Sequence, residues 1–266
     1  MLYIYGTVFN NQGTLISSIE SLSKINIEKQ FLIVDNFSTD GTYELLDKIK
    51  ENYNIVIKRI KCSRGSGRQI AMEMGYDKAT NEDLFMTFDL DTTYTSRFVT
   101  LIEYGVKILN HNEIFLNQLC FKQANFTVQW KDLNNGEDWE RMANFLYSGY
   151  GIINVPDKYY DLGNNYAGKK REKRYATGIN YYTRMIKNQI DLFRGWNISS
   201  YKNLKQFMEY ADAKSSHFIP LLLILIYIKL FNHVYKYSDE INILYVKHKM
   251  QFIDVPYTDK EDLNLF

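Results

Sequence analysis

The chain has 266 residues and a formal net charge of +1, enough for one large α/β core with an extension, and no global charge that would draw it to nucleic acid. Its 22 tyrosines and 16 phenylalanines against 3 prolines exclude a disordered chain. The two cysteines, Cys62 and Cys120, have no metal-ligand spacing, so a reduced, cytoplasmic setting is expected, and the start, MLYIYGTVFNN, reads as no signal peptide.

Leu2 to Phe9 (LYIYGTVF) is the first predicted strand, followed by a turn at residues 10–13. Thr14 is placed to cap a helix running to about Lys24, whose Leu15, Ile16, Ile19 and Leu22 recur near the 3.6-residue period. Phe31 to Val34 is a short apolar strand ending on Asp35. Asp40-Gly41-Thr42 opens a second helix, Ile55 to Ile60 forms a third strand, and Arg64 to Lys78 a third helix entered through Gly65 and Gly67. Next comes LFMTFDLDTTY, Leu84 to Tyr94, an apolar strand that ends in Asp89 and Asp91. Short apolar strands alternating with amphipathic helices predict a parallel sheet wound right-handedly.

Beyond Tyr94 the pattern predicts a helix over residues 96–109, strands over 114–121 and 126–130 that are mixed or antiparallel at the sheet edge, a helix over 137–147, and a strand over 151–155. From about Tyr175 the reading is mainly helical. The division expected is a nucleotide-binding and catalytic core over 1–157 and a mainly helical extension over 158–266.

In open parallel sheets ligands gather beyond the carboxyl ends of the strands. Two carboxylates at such an end are costly to leave unpaired, and a hard divalent cation is their natural partner. An acidic loop without a metal is the plainer reading of Asp-x-Asp taken alone.

Five segments in order resemble the family 2 nucleotide-sugar glycosyltransferases of the GT-A fold, a Rossmann-like, mostly parallel sheet flanked by helices. YIYGTVFNN is similar to the family's opening strand and Pro-x-Tyr-Asn turn, with Thr7 where proline is usual. FLIVDNFSTDGT is close to Val-Asp-Asp-x-Ser-x-Asp-Gly-Thr, with Asn36 replacing the second acid. SRGSGRQIA resembles the Ala-Arg-Asn helix entry, FDLDTTY the Asp-x-Asp motif, and NNGEDWERM the Glu-Asp segment.

The resemblance implies a metal-dependent inverting glycosyltransferase, of hexosyltransferase type, that uses a nucleotide-diphosphate sugar, most simply a UDP-sugar. It gives Asp91 the role of ligand to Mg²⁺ or Mn²⁺, with Asp89 as ribose partner or further ligand, and makes Asp138 the general base, with Glu137 as the competitor for that role. The placement of Asp35 at a strand end suits it to accept the imide N–H of a uracil-type base, and that of Arg68 to meet a base or diphosphate. Thr7, Phe9 and Asn10 end the first strand and could wall the base pocket.

Each residue also has a structural reading. Asp35 and Asp40 suit a turn and a helix cap, Glu137 and Asp138 complement a helix dipole, and Trp139 suits either a sugar platform or the core. Two other functions stay open: a sugar-nucleotide pyrophosphorylase, or a glycan-binding scaffold of the same fold without turnover. Glycan, glycolipid and polyprenyl-phosphate acceptors all fit, and nucleic acid does not.

The basic cluster over 169–174 reads as a contact for phosphate or anionic lipid, or as a solvated face. The most apolar run is residues 218–231 (FIPLLLILIYIKLF). A helix of that length spans about 21 Å, short of a bilayer core of about 30 Å. It is expected to be buried in the protein or in a homodimer interface, with peripheral insertion at a membrane surface as the alternative.

Overall fold

The computed structural model describes residues 1–116, 118–155, 179–195, 198, 200–210, 218–230 and 250–252. The first part runs β1 (Leu2–Val8), α1 (Gln12–Ser23), β2 (Lys29–Asp35), α2 (Thr42–Ile49), β3 (Ile55–Arg59), α3 (Arg64–Glu73) and β4 (Leu84–Thr87). Next are α4 (Ser96–Ile108), β5 (Glu113–Phe115), β6 (Leu119–Phe121), α5 (Lys122–Thr127), α6 (Glu137–Tyr147) and β7 (Gly151–Asn154). Three helices follow, α7 (Ile179–Gly195), α8 (Tyr201–Tyr210) and α9 (Phe218–Leu230), and then β8 (Met250–Phe252).

The strands form one eight-stranded sheet in the order β3-β2-β1-β4-β6-β5-β7-β8. β3, β2, β1 and β4 are parallel, as the alternation of strands and helices predicts, and β6 runs antiparallel to both β4 and β5. β7 is parallel to β5 and β8 to β7, so the sheet is mixed toward that edge.

The strands owe their burial on both faces to period-two alternation. Leu2, Ile4 and Val8 of β1, with Phe31 and Ile33 of β2 and Leu84 and Met86 of β4, pack with apolar residues of α1 and α4. Tyr3, Tyr5, Leu32, Val34 and Phe85 point the other way and pack with Ala71 and Met72 of α3 and with Trp130. Each large side chain so buried contributes on the order of 2 kcal/mol. A further cluster joins Ile114, Cys120, Phe145 and Ile152 to Phe193 of α7 and to Leu221, Leu225 and Ile228 of α9.

Four local expectations are corrected. α1 starts at Gln12 with no side-chain cap, and the Thr14 hydroxyl donates to the Leu90 carbonyl (3.3 Å), docking the Asp-x-Asp loop instead of capping a helix. α3 ends at Glu73, short of Lys78. The strand expected over 114–121 is two strands, β5 and β6, paired antiparallel. Residues 126–130 form no strand: Phe126 lies in α5, its ring edge-on to Phe85 and Tyr76, and Trp130 turns back under the sheet. Their strand-like alternation was overridden by these tertiary contacts.

α9 buries one stripe, Leu221, Leu225 and Ile228, while Ile219, Leu223, Ile226 and Leu230 are exposed among the described residues. Among those residues no helix is long and apolar enough to cross a membrane. The basic cluster over 169–174 lies outside the described residues.

Candidate active site

From β1 the chain steps outward through β2 and β3, then returns to place β4 on the other side of β1. That reversal is the topological switch point at which an open α/β sheet opens a crevice. The Asp-x-Asp segment leaves β4 there.

Its loop is held by α1. Ser18 Oγ donates to the Asp89 carbonyl (3.2 Å), Thr14 to that of Leu90, and Thr93 to Ser17 Oγ (3.1 Å). The backbone N–H of Tyr94 donates to Ser21 Oγ (3.1 Å). Asp91 is buried, while the Asp89 side chain is 60% exposed. The serines of α1 are thus the seat of the acidic loop, a use that their helical spacing alone does not disclose.

Asp35 ends β2 fully buried. Its Oδ2 accepts the Ser38 backbone N–H (3.0 Å) and lies 3.4 Å from Arg59 Nε. Its Oδ1 is buried with no hydrogen-bond partner among the described residues. A buried unpaired acceptor costs about 1–3 kcal/mol, which a ligand N–H would recover. Arg59, opposite Asp35 in the strand register, also donates to the Ser38 carbonyl (2.8 Å) and stacks on Tyr43. Sequence reading missed it, although parallel pairing of β2 with β3 predicts that contact.

Asn36, the departure from the family pattern, accepts the Cys62 backbone N–H through its side-chain oxygen (3.0 Å). Thr7 Oγ1 donates to the Val34 carbonyl (3.1 Å) and faces Gly67 of α3. Phe9 is exposed, and Asn10 accepts the Thr39 N–H (2.8 Å), bracing the loop after β2. Asp40 accepts from the backbone N–H and the hydroxyl of Thr42, and from the N–H of Gln12. These bonds hold its carboxyl below the usual range although burial works the other way; they fit its turn reading, while α2 itself starts at a left-handed Gly41 cap with no side-chain cap bond.

Arg68 lies at the centre. α3 begins at a Ser63 cap, whose hydroxyl accepts the Ser66 N–H (3.1 Å), and its first turn lies against the chain before α6. Gly65 makes that approach possible, since a Cβ there would fall 1.9 Å from the Lys131 carbonyl oxygen. The Arg68 side chain is 4% exposed and its guanidinium lies 4.8 Å from the Trp130 ring. Nη2 donates to Asp89 Oδ1 (2.9 Å), while Nη1 donates to Glu137 Oε1 (3.1 Å) and to Asp138 Oδ1. Burial disfavours its charge, yet the carboxylates of Asp138, Asp89 and Glu137 outweigh that and raise its pKa above the ordinary arginine value.

The Glu-Asp segment enters α6 through Gly136, left-handed at φ 77°. Glu137 is inward, its side chain 1% exposed and also 3.3 Å from Arg64 Nη1. Burial pushes its carboxyl up, and the neighbouring Asp138 charge adds to this against the two arginines. Asp138, by contrast, has a side chain 46% exposed. Trp139 is exposed, which excludes the core as its place. The loop ahead of α6 is tied to α7: the Asn134 N–H donates to Asp191 Oδ2 (3.0 Å) and Asn135 Nδ2 to the Asn188 carbonyl (3.1 Å). Beside it a cavity of about 270 Å³ is lined by Asn134, Lys187, Ile190, Asp191, Arg194 and Tyr227.

Two guanidiniums lie against the Trp130 ring, those of Arg68 and Arg141. Arg141 of α6 lies 4.5 Å from its ring and donates to Tyr5 (2.7 Å), Asn125 (2.7 Å) and the Val128 carbonyl (3.1 Å). Trp130 belongs to no motif, and Arg141, although it lies in the NNGEDWERM segment, has no role in that resemblance; only their convergence in space marks them.

Among the described residues no group of three or more His, Cys, Asp or Glu is arranged to hold a metal ion. Asp89 and Asp91 offer hard oxygen donors, one of them engaged by Arg68. That set does not make an all-protein cage, but it fits an ion held by one or two carboxylates with phosphate oxygens and waters completing the shell. The structure thus brings Arg68, Asp89 and Asp138 into direct contact and sets Asp91 on the same loop as Asp89, while Asp35 lies across β1 with its own partners.

The sequence profile described as Glycosyl transferase family 2 matches residues 4–202. Curated proteins give no sequence match. Among solved structures, the mannosyltransferase PcManGT from Pyrobaculum calidifontis, in complex with GDP-Man and Mn²⁺, is similar at 12% identity and a TM-score of 0.53, over 93% of this chain and 86% of that one. The S. aureus protein TarS, residues 1–349, gives 13% identity and a TM-score of 0.49 over 84% of this chain and 78% of that one.

Proposed function

This chain belongs to glycosyl transferase family 2, and from that premise we propose that it is a metal-dependent, inverting glycosyltransferase taking its sugar from a nucleotide diphosphate, with UDP as the carrier. The observation that carries this reading is the meeting of two acids, Asp89 after β4 and Asp138 of α6, on the one guanidinium of Arg68 beside the sheet's switch point. In this reading Asp35, whose Oδ1 has no hydrogen-bond partner among the described residues, takes the imide N–H of the base. Asp89 faces the ribose, and Thr7, Phe9 and Asn10 line the strand-end wall.

Asp91, with Asp89, would hold Mg²⁺ or Mn²⁺, which when bound supplies positive charge to the diphosphate. The fold shared with PcManGT, solved with GDP-Man and Mn²⁺, is compatible with such an ion. Asp138 accepts the proton of the acceptor hydroxyl as its oxygen bonds to the anomeric carbon. The bond from that carbon to the phosphate oxygen breaks on the opposite face, and its electron pair leaves with the nucleoside diphosphate. The exposure of the Asp138 side chain supports this use, since the proton must come from a molecule in the crevice.

The test is slow hydrolysis of UDP-sugars with and without Mn²⁺ or Mg²⁺. Metal-promoted release of UDP by the wild type, lost in Asp91→Ala, is the expected result. Tight sugar binding that ignores metal, with no hydrolysis, would instead identify a scaffold without turnover.

A further inference from the structure

The geometry points to Arg68 as the positioning residue for the general base, a group that fixes Asp138 from the donor side of the crevice and works through that carboxylate. This rests on the function proposed above. A purely structural ion pair would need only Glu137, whose side chain is as buried as that of Arg68. Arg68 instead extends from its buried seat to two largely solvent-facing acids, Asp89 through Nη2 and Asp138 through Nη1. A fork with two donor edges holds two carboxylates at a fixed separation, which a single ammonium does not.

The plane of that fork is fixed as well. Trp130 backs the guanidinium at 4.8 Å and is itself held by Arg141 at 4.5 Å on its ring, by its Nε1–H donating to Tyr5 (3.1 Å), and by its backbone N–H donating to Gln69 Oε1 (2.9 Å). Around Arg68 the acids Asp89, Glu137 and Asp138 face two cations, Arg64 and Arg68. Removing the charge or the fork therefore leaves mutually repelling carboxylates, and Asp138, in the first turn of α6, loses its fixed direction. Asp89 leaves β4 and Asp138 opens α6, so this one side chain sets the distance between donor and acceptor machinery.

The test is a double-mutant cycle of Arg68→Lys and Asp138→Asn, read as metal-promoted consumption of a panel of UDP- and GDP-sugars, with thermal melting of each variant as the control for folding. Each single substitution is expected to lower kcat about 10²-fold with donor KM within about threefold. In the Asp138→Asn background Arg68→Lys is expected to cost less than about threefold more, because the group it orients is already gone. Losses that multiply to about 10⁴, or a donor KM raised tenfold at unchanged kcat, would overturn the inference by showing that Arg68 acts on the donor. Should Arg68→Lys fail to fold, Trp130→Phe in the same cycle asks the same question, with a loss that vanishes in the Asp138→Asn background as the supporting result and a loss that persists there as the overturning one. A wild type that consumes no nucleotide-sugar overturns the proposed function and this inference together, whereas multiplicative losses in an active enzyme overturn this inference alone.

Discussion

Glu140 sits one turn into α6 on its inner face, fully buried, with one carboxylate oxygen bonded to Asn144 Nδ2 and Oε2 buried without a partner among the described residues. Burial drives its pKa from 4.5 to about 7, against the opposing pull of Lys131, Asn144 and Arg141. The folded protein therefore holds this proton more tightly than the unfolded chain does. Stability falls as pH rises from about 4.5 to about 7, and the full cost of ionising the buried acid is present above that range. At about 1.4 kcal/mol per pH unit the interval corresponds to about 3 kcal/mol, an order-of-magnitude figure. Glu140→Gln keeps the shape and the bond to Asn144 but carries no proton to lose. Urea unfolding of both proteins at pH 5 and pH 8 isolates the effect, because titration of Glu137 and the other acids is common to the two and cancels in the difference. The variant is expected to gain about 3 kcal/mol over the wild type at pH 8 and to lie close to it at pH 5. An equal difference at both pH values would refute the reasoning, since it would mean that Lys131 and Arg141 keep Glu140 ionised in the fold across that range.

Four further substitutions have outcomes that the contacts set. Gly65→Ala places a methyl group against the Lys131 carbonyl and should cost more than about 3 kcal/mol in urea unfolding, despite the helix propensity gained; Gly149→Ala, left-handed at φ 87° but with open space around it, should cost only about 1 kcal/mol. Tyr5→Phe leaves donors of Arg141 and Trp130 buried without their acceptor and should destabilise by about 2–3 kcal/mol; a smaller loss would mean that the pocket rearranges to satisfy them. Asp35→Asn should weaken UDP binding about tenfold, about 1.4 kcal/mol, in a thermal-shift titration with Mn²⁺, and unchanged binding would remove Asp35 from the nucleotide site.

The parallel strands and the helices between them were legible because each is a local pattern: β1 alternates Leu2, Ile4 and Val8 against Tyr3 and Tyr5, and α6 follows directly from Glu137. The five ordered segments likewise pointed to the family that the match over residues 4–202 establishes. Periodicity failed at residues 126–130, where aromatic contacts with Tyr76 and Phe85 outweighed a strand-like alternation. It failed again at Thr14, whose hydroxyl serves a loop far along the chain instead of its own helix.

The candidate site divides the same way. That Asp89 and Asp91 follow a buried strand and that Asp138 stands at a helix start could be read from residue types in a row, because a strand end or a helix start is specified by its own neighbours. What Arg68 grips could not be read so, since its partners lie 21, 69 and 70 residues along the chain and Trp130, behind it, belongs to no motif. Hydrogen bonds and stacking act over a few ångströms of space whatever the separation in sequence, so only the closing of β4, α3 and α6 around one point decided which acids that arginine would hold.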